Sequence, residues 1–194
     1  MAVKTEDRRS RRSKRLLKQG LAELMLEKPF QEISVRDITD RMDLNRGTFY
    51  LHYADTYDLL QKLQQDTLDN VQAMIDEHSA EASRETLRPV FEPILNYIVE
   101  NKDVCYALFA GGTASSFVDQ VHRLIYKNGV SIIQKQFSIQ SDETLDYLLS
   151  FVTYGLIGLI KEWFDTDMSL DKQEILRMTD HLVGGAAKRL LGVD

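Results

Sequence analysis

The chain has 194 residues, 43% of them hydrophobic and 28% charged, which is enough for a sizeable core in one large or two small domains. A single cysteine, Cys105, excludes an internal disulfide and leaves no second thiol for a metal. The net charge of −6 argues against nucleic acid until the chain is divided, because residues 1–62 hold 13 basic and 10 acidic residues and the remainder 11 and 20. That asymmetry fits a DNA-reading head on an acidic body, and equally a charged tail on an ordinary helical protein.

Residues 1–13 are polar, with Arg8, Arg9, Arg11 and Arg12 close together. They read as a basic arm that reaches phosphates or a minor groove, or as a solvated terminus. No apolar segment follows them, so no secretory leader is expected. Helical periodicity starts at Lys14 and carries Leu17, Leu21, Leu24 and Met25 on one face to about Lys28 and Pro29. Gly20 costs that helix some propensity and permits close packing. Phe30 and Ile33 tuck the connection into the same core. A short helix then opens at Ser34, with Val35, Ile38 and Met42 on one face and Asp37 in the first turn, where the helix dipole favours a carboxylate. Asp43 marks a turn and tolerates a left-handed conformation, Leu44 anchors the core, and Asn45 caps a second short helix through His52. A helix this short must be braced by a domain. What it offers outward is basic, hydrogen-bonding and aromatic, as a major groove requires.

The run Thr48, Phe49, Tyr50, His52 and Tyr53, followed by Asp55, Tyr57, Asp58, Leu59 and Leu60, resembles the helix-turn-helix of the TetR/AcrR (tetracycline-repressor-like) family of bacterial transcription regulators. Two positions depart from it. Asp43 stands where the family often has Gly, and Thr56 where it usually has a phosphate-binding Lys, so one backbone contact is missing.

Asp55 caps the next helix, which carries Leu59, Leu60, Leu63, Leu68, Val71, Met74 and Ile75 to about His78. Residues 79–85 read as a loop. Thr86 begins a helix with Pro89 in its first turn and Pro93 inside it, where a kink is expected. Asp103 caps a short helix, Val104–Phe109, that Gly111 and Gly112 end. A long helix starts at Ser115 or Ser116 and runs to Phe137. The helix from Asp142 to Phe164 is apolar nearly all round, with Gly155 and Gly158 three apart, so it is buried on more than one side. The last helix, Asp171–Leu191, contains the small run Gly184–Ala187. These two helices from each of two copies would form a four-helix homodimer interface, where the TetR-like resemblance also places it. The expected architecture is all-α with about nine helices: a helix-turn-helix DNA-binding domain at 1–54 and an effector-binding and dimerisation domain at 55–194.

In the head, Arg46 is the candidate base contact, since its fork matches a guanine edge. Thr48 and Leu51 suit a thymine methyl or a phosphate, Gly47 lets the backbone approach DNA, and Tyr50 and His52 suit phosphates. Phe49 reads as core. Ser34 and Arg36 stand where a helix N-terminus can hold a phosphate oxygen, and Asn45, at the start of the reading helix, completes the set. For the body, the resemblance implies a ligand cavity within residues 86–165. Tyr97, Tyr106, Phe109, His122, Tyr126, Phe151, Tyr154 and Trp163 are the candidates, and they would serve a plain core equally well.

Enzyme readings fail on inventory. His52, His78, His122 and His181 are scattered, and no HExxH, CxxC, GxSxG or phosphate loop exists, so no catalysis, metal or cofactor is expected. Cys105 reads as a small buried hydrophobe. The longest apolar run, Tyr147–Ile160, is shorter than the roughly 20 residues of a membrane span, and a cytoplasmic protein is expected. The resulting reading is a sequence-specific DNA-binding regulator, a repressor released from a palindromic operator by a small-molecule effector. The alternative is a DNA-bound activator or co-regulator whose body docks a partner protein.

Overall fold

The computed structural model describes residues 7–83, 86–110, 114–137 and 143–190. Among the described residues the chain forms nine α-helices, one turn of 3-10 helix at Phe30–Glu32, and no strand. The helices are α1 (Arg8–Glu27), α2 (Val35–Arg41), α3 (Arg46–Tyr50), α4 (Thr56–His78), α5 (Arg88–Glu100), α6 (Lys102–Ala110), α7 (Ala114–Phe137), α8 (Glu143–Asp165) and α9 (Lys172–Leu190). They group into two compact units, Met1–Thr67 with Lys102–Ser115, and Leu68–Asn101 with Ser116–Asp194. No helix among the described residues is long and apolar enough to cross a membrane.

In the first unit, α1 begins at Arg8 and not at Lys14. The carboxylate of Asp7 accepts from the Arg9 N–H at 3.3 Å and caps the helix, and arginine is a good helix former. Part of the expected basic arm is therefore helix, and the residues before Asp7 lie outside the described residues. Leu17, Leu21 and Leu24 line the buried face of α1. Gly20 sits against the end of α2, where an added Cβ would stand 2.7 Å from Met42 Cγ, so any side chain there would force Met42 to move. The same junction is closed by Arg41, whose guanidinium donates to both Glu27 oxygens at 2.9 and 2.6 Å. On α6, Cys105 is 2% exposed, and burial pushes its thiol up to about 12, so it stays neutral and packs as a hydrophobe. Gly111 and Gly112, expected to end α6, lie outside the described residues.

In the second unit, α5 starts at Arg88 and not at Thr86, because the chain there is held from α9. Asp180 accepts from the Thr86 hydroxyl at 2.8 Å and from the Leu87 N–H at 2.9 Å. A carboxylate thus closes the α5 N-terminus from another helix. Pro89 occupies the first turn, and Pro93 stands inside the helix. Ile75, Ala82 and Val90 form a core with Val71, Ile94, Leu124 and Ile132 around it. A reciprocal amide pair, Gln72 with Asn128 at 3.1 and 2.8 Å, fixes α4 to α7. After α8 the chain reverses through Asp167 and Met168, at φ 53 and 56°. The buried Trp163 donates its indole N–H to the Leu170 carbonyl at 2.9 Å and holds that reversal.

Candidate nucleic-acid interface

The helix-turn-helix is fixed first by its caps. Ser34 and Asp37 form a reciprocal capping box at the start of α2. The Asp37 carboxyl is pulled down to about 2, chiefly by the Ser34 N–H, then by Lys28 and the Ser34 hydroxyl. Lys28 Nζ lies 2.9 Å from Asp37 Oδ2 and ties the connection after α1 to α2. A carboxyl lowered on folding stabilises above its ordinary value near 4, and that stability is lost as pH falls toward 2. Asp37→Asn is therefore expected to cost about 1 kcal/mol at neutral pH. The gap in melting temperature between variant and parent should close as pH is lowered from 4 toward 2. A gap that persists at the acid end would place the effect elsewhere.

Asp43 takes φ 50°, the left-handed turn expected of it. Leu44 then donates its N–H to the Thr39 carbonyl at 2.9 Å, and the Asn45 side chain accepts from the Gly47 N–H at 2.7 Å to start α3. Phe49 is fully buried, with its ring 5.5 Å from Tyr50 and 5.7 Å from Tyr53. With Phe49 locked inward, the opposite side of the five-residue helix must face out. Tyr50 is 60% and Leu51 80% exposed; Arg46 and Gly47 are exposed beside them, with Thr48 and His52 half-buried. Space over Gly47 is open apart from Asn45 Oδ1 at 3.3 Å from an added Cβ.

Charge is distributed unevenly around this face. Arg36 is paired with Asp40 at 3.2 Å, Arg41 with Glu27 at 2.6 Å, and Lys62 with Asp58 at 3.0 Å. Lys62 also lies 5.3 Å over the Tyr53 ring. Arg46 makes no side-chain hydrogen bond or ion pair among the described residues. Ser34 is exposed, but its hydroxyl is committed to Asp37. The start of α4 is filled by carboxylates: Asp55 accepts from the Asp58 N–H at 2.8 Å and Asp58 from the Ala54 N–H at 2.9 Å. That terminus has Thr56 and two acids where a cation would be needed to hold a phosphate.

The eight effector candidates are divided between the two units. Tyr106 and Phe109 lie on α6, in the first unit. His122 stacks on Tyr126 at 6.0 Å and packs on Tyr154 at 4.4 Å, and the Tyr126 hydroxyl donates to Asp146. Tyr97 accepts from Asn70 at 3.3 Å. Phe151 and Tyr154 are 77% and 53% exposed on α8, and Trp163 spends its polar atom on Leu170. A crevice of about 210 Å³ opens between α4 and α7, lined by Asp76, Ser79, Asn128, Ser131 and Lys135 over Ile75 and Ile132. None of the eight lines it. Sequence reading also passed over Tyr147, 79% exposed, although its spacing from Phe151, Tyr154 and Gly158 is that of one helix face.

Residues 19–63 match the model described as "Bacterial regulatory proteins, tetR family", and residues 85–185, half of the chain, match "Transcriptional regulator C-terminal region" of the TetR type. The chain belongs to the TetR family. It is therefore a regulator of transcription built on a DNA-binding helix-turn-helix. Solved TetR-like structures share the fold at low identity. A TetR-family regulator from Syntrophomonas wolfei is 17% identical, with 95% of this chain and 97% of that one covered at TM-score 0.65. The fatty acid degradation regulator FadR from Bacillus halodurans is 13% identical, with coverage of 93% and 95% at TM-score 0.68. The dihydroxyacetone kinase operon activator DhaS is 17% identical, with coverage of 93% and 94% at TM-score 0.57. No curated protein matches the chain.

Proposed function

We propose that this TetR-family chain is a cytoplasmic repressor that binds a palindromic operator as a homodimer and leaves it when a small effector occupies the body. The observation that carries the DNA assignment is the exposed Arg46–Leu51 face backed by a fully buried Phe49. Arg46 is the base-reading residue, unpaired among the described residues and able to fork onto a guanine. Gly47, Thr48, Tyr50, Leu51 and His52 contact the adjacent bases and phosphates, and Ser34, Arg36 and Asn45 at the flanking helix starts would have to exchange their partners Asp37, Asp40 and the Gly47 N–H to join them. The homodimer reading is supported by α8, whose exposed Tyr147, Phe151 and Tyr154 align with Gly155 and Gly158, where an added Cβ would meet nothing within 4 Å. An exposed apolar stripe flanked by bare glycines suits close approach of a second helix.

The effector reading is supported by polar atoms left over inside the body. His122 Nε2 and Thr153 Oγ1 are enclosed with no hydrogen-bond partner among the described residues, a cost that a ligand would remove. Because α4 runs unbroken from Thr56 to His78, a shift of its far end reaches the reading helix along one rod. An effector that favours one arrangement by the usual coupling of about 1–3 kcal/mol would weaken operator binding five- to 150-fold.

The test is selection of DNA by the purified protein, with Arg46→Ala alongside. A palindrome with half-sites about one helical turn apart is expected. Arg46→Ala should cost about 1–3 kcal/mol and relax the preference at one position of each half-site. An even loss across all sequences would remove Arg46 from base reading. Since the same fold serves an operon activator in DhaS, the second reading keeps the DNA head and lets the body dock a partner protein. In vitro transcription from the selected site separates the two by sign.

A further inference from the structure

The cations of the first unit divide sharply. Lys18, Lys28, Arg36, Arg41 and Lys62 are spent on Asp66, Asp37, Asp40, Glu27 and Asp58. Arg8, Arg9, Arg11, Arg12 and Arg15 are exposed, and their side chains bond to no other described residue. Arg8, Arg11, Arg12 and Arg15 recur at the spacing that aligns them on one face of α1. In the isolated protein this face is unfavourable twice over. Like charges three and four residues apart repel, and the first turn of α1 bears arginines, which the helix dipole disfavours, with the Asp7 cap as its one carboxylate among the described residues. The helix-turn-helix, meanwhile, is short of phosphate partners, with Arg36 and Arg41 paired internally and the α4 start filled by Asp55 and Asp58.

We propose that the arginine face of α1 is a second DNA-contacting surface, which holds backbone phosphates flanking the base-read half-site. The proposal rests on the DNA-binding reading above and extends the protein's footprint beyond α3. DNA is the polyanion because α1 belongs to the same compact unit as α3 and is pinned to α2 at Gly20 and Arg41. Arg8 to Arg15 spans about 10 Å at 1.5 Å per helical residue. Duplex DNA offers one phosphate per about 3.4 Å of axis on each strand, so a row of this length can face more than one of them. Contacts of this kind position the protein without reading sequence.

The experiment compares the full-length protein with Arg11→Gln/Arg12→Gln on two duplexes, the selected palindrome alone and the palindrome with about ten extra pairs on each side, one helical turn. Glutamine keeps helix propensity, and Arg8→Gln/Arg15→Gln is a second variant should the first misfold. Flanking DNA is expected to raise the affinity of the parent and to do little for the variant. The variant's slope of log affinity against log salt should be shallower by about 3.6, at about 0.9 per lost phosphate contact and two lost contacts in each protomer of the bound dimer. Base preferences should be unchanged, and the free variant should melt at or above the parent's temperature. An unchanged slope and flank effect would overturn the arginine face while leaving the DNA reading intact. Equal losses on both duplexes would also overturn it, by moving the contact inside the half-site. If the parent itself selects no site, the DNA-binding reading fails and this inference with it.

Discussion

Phe49→Ala is expected to lower the stability of the DNA-binding unit by about 3–5 kcal/mol, the usual cost of removing a fully buried aromatic ring. Phe49 has no solvent exposure, and Tyr50 and Tyr53 pack against its edges at 5.5 and 5.7 Å. No other side chain of the five-residue α3 is buried, so this ring is what holds the helix to the domain. An isolated helix of that length does not form in water, and operator binding should fall with the folded fraction of the unit. Leu51→Ala on the same segment is the contrast. Leu51 is 80% exposed, and its loss should leave stability within about 0.5 kcal/mol while touching only DNA contacts. Urea titrations of the two variants followed by circular dichroism, with binding measured beside them, separate the cases. If Phe49→Ala unfolds like the parent, α3 is braced by something else.

The helix-turn-helix was legible because its instructions are local. Ser34 with Asp37, Asp43 at a positive φ and Asn45 each act within three residues of themselves, so short-range chemistry is enough to place them. The start of α1 was not legible, since its first turns bear arginines in place of an apolar stripe. Periodicity has nothing to count there, although Asp7 caps the helix. The α5 start was displaced for a different reason, as Asp180, remote in sequence, takes the donors that a local cap would have used. The reversal after α8 was hidden because Asp167 and Met168 take left-handed backbone where no glycine signals it.

The effector candidates show where composition stops informing. A helix apolar on all sides does not say which side meets its own chain. Phe151 and Tyr154 were grouped with Trp163 as pocket aromatics, yet Trp163 is 3% exposed and Phe151 77%. Phe151 and Trp163 stand twelve positions apart along one helix, and only the packing around each side chain distinguishes them. The orphaned Nε2 of His122 could not be anticipated either, since hydrogen-bond satisfaction is a property of the assembled body.

The outer face of α8 leads to the second large effect. Phe151→Glu is expected to convert the proposed dimer to monomer at concentrations where the parent is dimeric. In the isolated chain Phe151 is 77% exposed, so the substitution should cost the monomer little. At a two-fold interface each patch meets its own copy, which brings two new carboxylates together among Tyr147 and Tyr154 of both copies. Loss of an aromatic anchor costs about 2 kcal/mol or more, near thirty-fold in dimer affinity, and the added like charges deepen it. Gly155→Leu would act on the same face by filling the space left open beside the helix. Operator binding should fall further than any single base contact could bring about. Linked half-sites gain about 10²- to 10⁴-fold in overall affinity from simultaneous engagement, and a monomer keeps only one. Sedimentation of the variant, with binding to a half-site and to the full palindrome, reads both consequences together. Equal half-site affinity with a collapsed preference for the palindrome is the expected pattern. A Phe151→Glu protein that stays dimeric and grips the palindrome like the parent would show that α8 does not form the dimer.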